Sequence, residues 1–504
     1  MEQSARKSYR NIVSSTVVFG GAQVMNMLIN LVRGKIVVQI LGAAGIGIST
    51  LFHNAADLIQ QYSLLGIHTA SVRNVSQAHD EATSAVLSHT IRLVRRLILC
   101  SALFGLLSTL ALSVVLTRYY FADDAYLPFV LLMSVAVLFN ILAAGEYSLL
   151  QGMRRYKHIA LCSTIPPLCG LLCGVPIYWF FGTAGIVPAM IVLSVVYYAA
   201  TRMMTRRSVP TPDTSVRITW REMWQQGRGI LQLGIVLTCA AILGTLTTFA
   251  TAAYIKLTGS DADLGLYTSA NAITLQYVTL VFNAMAANYY PQLAQAISKG
   301  MRQAHRLVNQ EMEIVLLVMA PVSMLIILTA PLLILLLLRS DMLVIQTIVR
   351  YMGVALFLRG ICFSVDYLSL SKGDKRYFFW VEGVWSNVKT LAVLCIFYSV
   401  YGLDGLGYGT LASALIDVVT CLSLNRWRFG FRPSRSSIVL GLRMLLFTTT
   451  CFLCSFIPNP TWAYTLMTLL TLLCIFYSYR QLDRRIDIRQ LWADRRKRRR
   501  SKNT

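Results

Sequence analysis

The sequence predicts an all-α polytopic membrane protein, because it combines an apolar composition, long apolar runs and sparse charge. Of the 504 residues, 56% are hydrophobic and 13% are charged, whereas a soluble domain has about 25% charged residues. A helix needs roughly 20 apolar residues to cross a bilayer. Runs of that length recur along the chain, as at 129–150 and 316–338. The protein is therefore expected to lie mostly in the membrane.

Fourteen transmembrane spans are predicted, with twelve or thirteen as alternative counts. The first is the least regular, because Arg33 and Lys35 interrupt it, and it resembles an uncleaved span rather than a signal peptide. The glycine-rich Gly42–Gly47 stretch after it predicts a tight turn with close helix packing. The predicted spans are 12–38, 44–70, 97–117, 126–150, 159–181, 184–203, 229–256, 264–289, 312–338, 344–370, 378–400, 405–424, 438–457 and 460–479.

The distribution of Lys and Arg predicts the side of the membrane on which each loop lies. Loops after even-numbered spans are rich in basic residues, as at 154–157 and 202–228, and those after odd-numbered spans are poor in them. Basic loops stay in the cytoplasm, so both termini are expected there. The net charge of +24 and the basic run at 495–500 then indicate contact with anionic lipid headgroups of an inner membrane. No nucleic-acid partner is expected.

Three short segments occur twice, in the same order. Gly152 opens GMRRY and Gly373 opens GDKRY, 221 residues apart; IGIST echoes LGLYT at an offset of 218, and GTAGI echoes GLDGL at 220. The repeat predicts two six-helix lobes related by a parallel pseudo-two-fold, a known transporter layout. The predicted division is 1–226 for spans 1–6, 227–430 for spans 7–12, and 431–504 for spans 13–14 and the basic tail.

Polar residues within the spans mark the candidate functional positions, because ionisable groups in a membrane are costly. In span 1, Asn26, Asn30 and Arg33 share one helical face, and span 2 carries a second stripe of polar residues. These stripes predict either cavity lining or hydrogen bonds between helices. Farther along, Arg359 and Asp366 of span 10 and Glu382 and Lys389 of span 11 predict either structural ion pairs or sites for phosphate and coupling ions.

Enzyme and cofactor motifs are missing from the sequence. It has no Walker motif, no hydrolase triad and no HExxH zinc motif, and the Cys451–Cys454 CxxC lies within an apolar run, which is typical of buried thiols rather than of a metal or redox site. No disulfide, metal or other cofactor is expected. A transporter is favoured over an enzyme.

Several segments together resemble the O-antigen translocase branch of the polysaccharide flippases, the Wzx-type proteins of the multidrug/oligosaccharidyl-lipid/polysaccharide exporter superfamily. The resemblance covers roughly residues 8–430. The segments are LVRGKIVVQILGAAGIGISTLF, ASVRNVS, LLQGMRRY, GLYTSANAI, YYPQL and SKGDKRYFFW. It implies a central cavity, alternating access, and transfer of undecaprenyl-pyrophosphate-linked oligosaccharide from the cytoplasmic to the periplasmic leaflet of a bacterial inner membrane.

The resemblance places spans 1, 2, 7 and 8 around the cavity, and it assigns the polar residues to roles. Arg33 is predicted to bind the pyrophosphate, because a guanidinium suits it bidentately. Asp57 and Asp366 are predicted to couple transport to a proton or sodium gradient. The predicted substrate-binding residues are Arg33, Lys35, Asn30, Asn26, His53, Asn54 and Arg359.

The predicted partners are the lipid-linked oligosaccharide, membrane lipids and a polysaccharide polymerase complex. Two other functions stay open at this point. A cation-coupled multidrug exporter shares the architecture, but it would need a more apolar, acid-dominated cavity. A membrane polysaccharide polymerase or ligase typically carries a large periplasmic loop, whereas every predicted outer loop is short.

Overall fold

The structure is a computed structural model that describes residues 2–80, 84–208, 239 and 241–486. All regular structure in these ranges is helical, and no strand occurs in them. The α-helices are α1 (Glu2–Leu64), α2 (Ile67–Asp80), α3 (Ser84–Val115), α4 (Leu127–Gly152), α5 (Tyr156–Cys169), α6 (Val175–Phe181), α7 (Ile186–Ser208), α8 (241–258), α9 (Asp261–Lys299), α10 (Met301–Leu337), α11 (Gln346–Lys372), α12 (Lys375–Phe378), α13 (Ser386–Phe429), α14 (Arg435–Cys454) and α15 (Pro460–Ile486).

Nine helical segments of the described chain are long and apolar enough to cross a membrane, which confirms the all-α membrane class. Three of these segments contain a glycine with non-helical backbone angles or a left-handed φ, at Gly42, Gly182 and Gly402. Each of the three covers two of the predicted spans. The count of fourteen stays a prediction, because part of the predicted span 229–256 lies outside the described residues.

The chain divides into two compact units. Unit 1 comprises Met1–Leu266 with Leu337–Arg339, and unit 2 comprises Tyr267–Leu336 with Ser340–Thr504. The predicted lobe boundary at 226/227 and the basic run at 495–500 both lie outside the described residues. The predicted lobes and their pseudo-two-fold therefore stay predictions.

In unit 1, helix α4 forms the centre of the packing and lies against α3 and α7. Its side chains Met133, Val137 and Ile141 are fully buried. Glycines let α3 and α4 approach closely: a Cβ on Gly105 would lie 2.6 Å from Ile141 Cδ1, and one on Gly145 would lie 2.5 Å from Ile98 Cγ2. Small residues at such crossings are the usual means of tight helix packing in lipid.

In unit 2, helix α11 takes the central place and packs against α13 and α14. Glycines again mark the crossings, since a Cβ on Gly353 would lie 2.8 Å from Ile327 Cγ1 of α10, and one on Gly407 would lie 3.1 Å from the Ile348 Cα of α11. Helix α13 reverses direction at Gly402, so that Lys389 of its first half donates to the Ser413 carbonyl of its second half.

The repeated GTAG and GLDG turns adopt nearly the same backbone conformation in their separate units. Gly182 has φ 55° and ψ −131°, and Gly402 has φ 60° and ψ −140°. Three residues later, a Cβ on Gly185 or Gly405 would collide with the carbonyl oxygen of Ile177 or Phe397, respectively. Both turns therefore need the same two glycines, the first for its dihedral angles and the second for close helix contact.

The repeated GMRRY and GDKRY segments differ in detail. Both lie between the end of one helix and the start of the next, but the left-handed residue is Arg154 (φ 55°) in the first copy and Gly373 (φ 73°) in the second. The Arg154 guanidinium donates to the Ser76 hydroxyl at 3.2 Å. In the second copy, Asp374 instead accepts two hydrogen bonds from Arg428.

Within unit 1, the start of α9 lies against α1 in a reciprocal contact. A Cβ on Gly47 would overlap the carbonyl oxygen of Asp261, and a Cβ on Gly265 would overlap that of Ala43. Gly47 and Gly265 are 218 residues apart, and so are Ala43 and Asp261. Each glycine thus contacts the repeat equivalent of the residue that its counterpart contacts. The close packing predicted for the Gly42–Gly47 stretch is confirmed here.

Candidate functional site

Arg33 lies on α1 and points toward the segment that joins α5 to α6. Its guanidinium lies over Gly170, where a Cβ would come within 2.9 Å of its Cζ, and it interacts with the Tyr178 hydroxyl. No carboxylate of the described chain, including Asp57, pairs with it. The structure thus offers a half-buried guanidinium that lacks a fixed counter-charge.

The other predicted residues of the first stripe surround Arg33 less closely. Asn26 is buried, and its Oδ1 atom has no hydrogen-bond partner within the described ranges. Asn30 and Lys35 are partly exposed. Lys35 follows Arg33 by two residues, so it points to a different side of the helix. The structure shows no contact that joins these side chains to Arg33.

A cavity of about 400 Å³ lies within unit 1, between α1, α4, α5 and α7. Its polar walls come from His53, Asp57, Asn140, Ser163, Ser194 and Tyr197. His53 donates from Nδ1 to the Ser49 carbonyl at 2.8 Å, and its side chain interacts electrostatically with Asp57. Two of the predicted residues, His53 and Asp57, therefore share one accessible cavity.

Asn54 does not line this cavity. It lies beside the Tyr120 hydroxyl, and its Nδ2 atom is buried without a hydrogen-bond partner in the described part of the chain. Neither Arg33, Asn26, Asn30 nor Lys35 lines it. The polar stripe of span 2 is thus divided between a cavity wall and helix packing.

Glu146 forms the strongest charge cluster of unit 1. Its carboxylate accepts from Arg95 through Nε at 3.1 Å and Nη2 at 3.2 Å, and from Arg202 Nη1 at 2.5 Å. The pairs join α4 to α3 and α7. Two cations on one carboxylate leave the cluster with a net charge of +1. The sequence pattern does not indicate this cluster, because the two arginines lie 51 and 56 residues away from Glu146.

Asp366 opens DYLSLSKGDKRY as Glu146 opens EYSLLQGMRRY, so the two acids are repeat equivalents. Asp366 lies in a different chemical environment in unit 2. Its Oδ1 accepts from the Cys421 thiol at 3.0 Å, and its carboxyl group shares a hydrogen bond with that of Glu382. Cys362, one helical turn before Asp366, contacts Cys421 in turn. Unlike Glu146, Asp366 has no salt bridge to a basic side chain of the described residues.

Arg359 and Lys389 do not form salt bridges with Asp366 or Glu382 in the described part of the chain, although the sequence left such ion pairs open as an alternative. Lys389 pairs with Asp417 of α13 and donates to the Ser413 carbonyl at 3.1 Å, so its partner is neither Asp366 nor Glu382. Sequence reasoning missed Asp417, although an acid within the apolar run ALIDVV is itself a signal.

Arg359 lines a small cavity with Asn271, Thr274 and Thr410. The cavity measures about 10 Å³, which is close to the space that one water needs. No salt bridge neutralises Arg359 within the described ranges. In this conformation the cavity is too small for a phosphate group.

Solved structures of two exporters share the fold. A multidrug resistance MATE family transporter of the MOP superfamily, in an inward-facing conformation, aligns with a TM-score of 0.68 and 17% identity over 82% of this chain and 98% of that one. The lipid II flippase MurJ, in an inward closed conformation, aligns with a TM-score of 0.68 and 15% identity over 93% and 99%. A search of curated proteins by sequence found no match.

The chain is therefore a multi-pass α-helical membrane protein that shares its fold with these two proteins. A family profile described as "Polysaccharide biosynthesis protein" matches residues 36–346. Because this match covers more than half of the chain, the protein belongs to that family.

Proposed function

We propose that the protein is a flippase that moves an undecaprenyl-pyrophosphate-linked oligosaccharide from the cytoplasmic to the periplasmic leaflet of a bacterial inner membrane. Membership of a polysaccharide biosynthesis family supports a glycan-related cargo. The fold shared with MurJ, whose name states that it flips lipid II, supports a lipid-linked one. The predicted cytoplasmic position of both termini belongs to this proposal.

The observation that carries the proposal is the guanidinium of Arg33, which no carboxylate of the described chain neutralises. A charge at such depth is costly unless something pairs with it. A pyrophosphate presents several acceptor oxygens, and the guanidinium fork can bind two of them at once. Gly170 leaves room for the guanidinium, since a Cβ there would displace it.

The remaining predicted residues have different roles in this proposal. Asn26 and Asn30, on the face of Arg33, donate and accept hydrogen bonds from sugar hydroxyls, and Lys35 and Arg359 attract the anion as it moves. His53 and Asn54 contribute polar contacts from span 2. This assignment follows the residue chemistry, and the free hydrogen-bonding atoms of Asn26 and Asn54 support it.

Transport is coupled, in this proposal, to a proton or sodium gradient at Asp57 and Asp366. Asp57 reaches an accessible polar cavity, and Asp366 lacks a fixed basic partner. A carboxylate without a fixed counter-charge can exchange a proton or a hard cation as its surroundings change. Alternating access then follows from movement of the predicted lobes 1–226 and 227–430, with spans 13–14 and the tail in 431–504 outside the transport core.

A multidrug exporter is the second candidate, because a MATE transporter aligns with the same TM-score as MurJ. Such a protein would expel organic cations. An unneutralised Arg33 beside the path would repel them, so the anionic cargo is favoured.

The test uses the full chain in proteoliposomes with a fluorescent undecaprenyl-pyrophosphate oligosaccharide, whose arrival in the opposite leaflet is read by an impermeant quencher. Arg33→Ala should abolish transfer, and Arg33→Lys should retain part of it, because an ammonium gives charge without the fork. Arg443→Ala is the matched control, since Arg443 also donates to a tyrosine hydroxyl, that of Tyr477 at 3.1 Å. Full transfer by Arg33→Ala, or gradient-driven uptake of a cationic dye instead of the lipid, would overturn the proposal.

A further inference from the structure

Unit 2 contains a compact group of three potential metal ligands. The Sγ atoms of Cys362 and Cys421 and a carboxylate oxygen of Asp366 all lie within 4.8 Å of one another. Cys362 and Asp366 lie four residues apart on α11, so they project from the same face of that helix. Cys421 comes from the second half of α13. Two helices thus supply three donors to one point.

Glu382 lies beside this group, next to Asp366, but it is not one of the three donors. Its carboxyl group hydrogen bonds to that of Asp366, and it belongs to a π-helical segment, Phe379–Trp385, that precedes α13. Such π-helical turns often occur at functional sites, because they redirect one side chain away from the regular helix. The group therefore has two sulfur donors and one oxygen donor, with a second carboxyl group next to the oxygen donor.

The spacing fits tetrahedral coordination. With Zn–S bonds of about 2.3 Å and Zn–O bonds of about 2.0 Å, tetrahedral geometry places the two sulfurs about 3.8 Å apart and each sulfur about 3.5 Å from an oxygen. The Cys421 Sγ atom lies 3.0 Å from Asp366 Oδ1, and the 4.8 Å limit bounds the other separations. Side-chain shifts of less than an ångström would suffice.

The donor set selects the class of ion. Thiolates bind soft or borderline cations such as Zn²⁺ and Cd²⁺, whereas Na⁺, Mg²⁺ and Ca²⁺ prefer all-oxygen sites. Binding also leaves the net charge of the buried site unchanged, because one divalent ion replaces two thiol protons. Lys389 does not oppose the ion as a free charge, since Asp417 pairs with it.

We propose that Cys362, Asp366 and Cys421, with Glu382 next to Asp366, form a binding site for a thiophilic divalent cation of the zinc class. On binding, the metal forms two metal–sulfur bonds and one bond to an oxygen of Asp366. The two thiols release their protons to solvent, and the proton that the two carboxyl groups share stays on Glu382. The oxidation state of the metal does not change. The bound ion joins α11 to α13 and therefore stabilises unit 2. This site does not depend on the transported cargo, but it shares Asp366 with the ion coupling proposed above, so a bound divalent ion excludes coupling at that residue.

The first experiment uses the chelator-treated full chain in nanodiscs, with Cd²⁺ as the probe. Wild type should bind one Cd²⁺ with the ultraviolet charge-transfer band of a Cd–thiolate, and excess Na⁺ or Mg²⁺ should not displace it. Cys362→Ser and Cys421→Ser should each lose most of the band. Cys451→Ser is the matched control, because Cys451 is equally buried in α14 but belongs to no such group of ligands among the described residues.

A second measurement guards against variants that fold poorly. Zn²⁺ should raise the apparent Tm of wild type and of Cys451→Ser, and it should leave that of the Cys362→Ser/Cys421→Ser double variant unchanged. Asp366→Asn should weaken Cd²⁺ binding about tenfold or more, the scale on which altered ligand shells act. The proposal is overturned if wild type shows no thiolate band, or if the double variant keeps both the band and the Tm shift.

Discussion

Glu146 in unit 1 and Asp366 in unit 2 hold the same place in the sequence repeat, 220 residues apart, yet their neighbours differ in kind. Two arginines donate to Glu146. Asp366 meets a second carboxyl group and a thiol. The first acid is paired with two cations, and the second has no basic partner among the described residues.

The difference separates an acid that holds helices together from an acid that can exchange a proton or a cation. A buried ion pair ties three helices of unit 1 together, and removing one member leaves the others costly to bury. An acid among other acids gains nothing from its own charge, so it can take up a proton or a cation without loss of packing. The positions of Glu146 and Asp366 in the repeat do not distinguish the two acids, because both copies have an acid there. The residues that contact each acid differ between the copies.

The largest effect on stability is expected at Glu146. Replacing it by Gln leaves Arg95 and Arg202 close together without a counter-charge. This change should lower the free energy of unfolding by about 2 to 3 kcal/mol. The value is small for a buried ion pair because the arginine side chains are 26% and 30% exposed, so solvent screens their charges. Denaturant titration of the purified protein measures this. Adding Arg202→Gln should restore part of the loss.

The matched control for that change is Glu313→Gln. Glu313 pairs with Arg485, which is 27% exposed, and this is its one basic partner among the described residues. Its loss should cost about 1 kcal/mol or less. Equal losses at Glu146 and Glu313 would contradict the special role of the Glu146 cluster.

The two repeated turns should respond alike, which tests whether the units share a scaffold. Gly182→Ala and Gly402→Ala each force a side chain into a left-handed conformation with extended ψ, at a cost of about 1 to 3 kcal/mol. Gly441→Ala serves as the control, because a Cβ there meets only an ordinary contact at 3.5 Å and alanine favours a helix. Thermal unfolding should rank both turn variants below this control. A large cost at only one turn would show that the units differ even here.

A smaller effect is expected at Asp374, the acid of the second basic turn. Hydrogen bonds from Arg428, with one from the Tyr377 backbone, hold the pKa of Asp374 below its usual value. A lowered folded pKa stabilises the protein above the unfolded value of about 3.9 and loses that contribution as pH falls through the folded value.

Arg428→Gln should therefore cost less than about 1 kcal/mol, because the arginine is half exposed. The difference from wild type should be constant between about pH 5 and 8 and shrink below about pH 4. Chemical denaturation across pH measures it. A difference that grows toward low pH would have the wrong sign for this pair.

The smallest change in stability is expected at Asp366. Asp366→Asn removes a carboxyl group that faces Glu382 rather than a base, so the free energy of unfolding should change by less than about 1 kcal/mol. Gradient-driven transport should nevertheless lose its dependence on the proton or sodium gradient. If Asp366→Asn destabilises the protein as strongly as Glu146→Gln, the contrast between the two acids is wrong.

The sequence predicted the helical class and the close packing of the Gly42–Gly47 stretch, because apolar run length and clustered glycines are local signals. It also selected Arg33, Asp57 and Asp366, since a charge within an apolar run is visible in one dimension. It could not supply their partners. Arg202 reaches Glu146 across 56 residues, and no local pattern encodes such a contact.

The seven-residue spacing of charged side chains suggested ion pairs that the structure does not contain among the described residues. Arg359 and Asp366, seven residues apart, share a helical face, as do Glu382 and Lys389, which made ion pairs among them a reasonable alternative. In the structure Lys389 turns to Asp417 on the returning half of α13. The reversal at Gly402 brings that acid near, and a face shared along one helix carries no information about what lies on the next.

The glycine turns also bear on the order in which the chain folds. Each closes a contact of short sequence separation, Gly185 over Ile177 and Gly405 over Phe397. Loop closure costs less entropy when the loop is short, and chains rich in local contacts fold quickly. Each helical hairpin is therefore expected to form soon after synthesis of its second helix, so that long-range charge clusters such as the one at Glu146 assemble between hairpins that already exist.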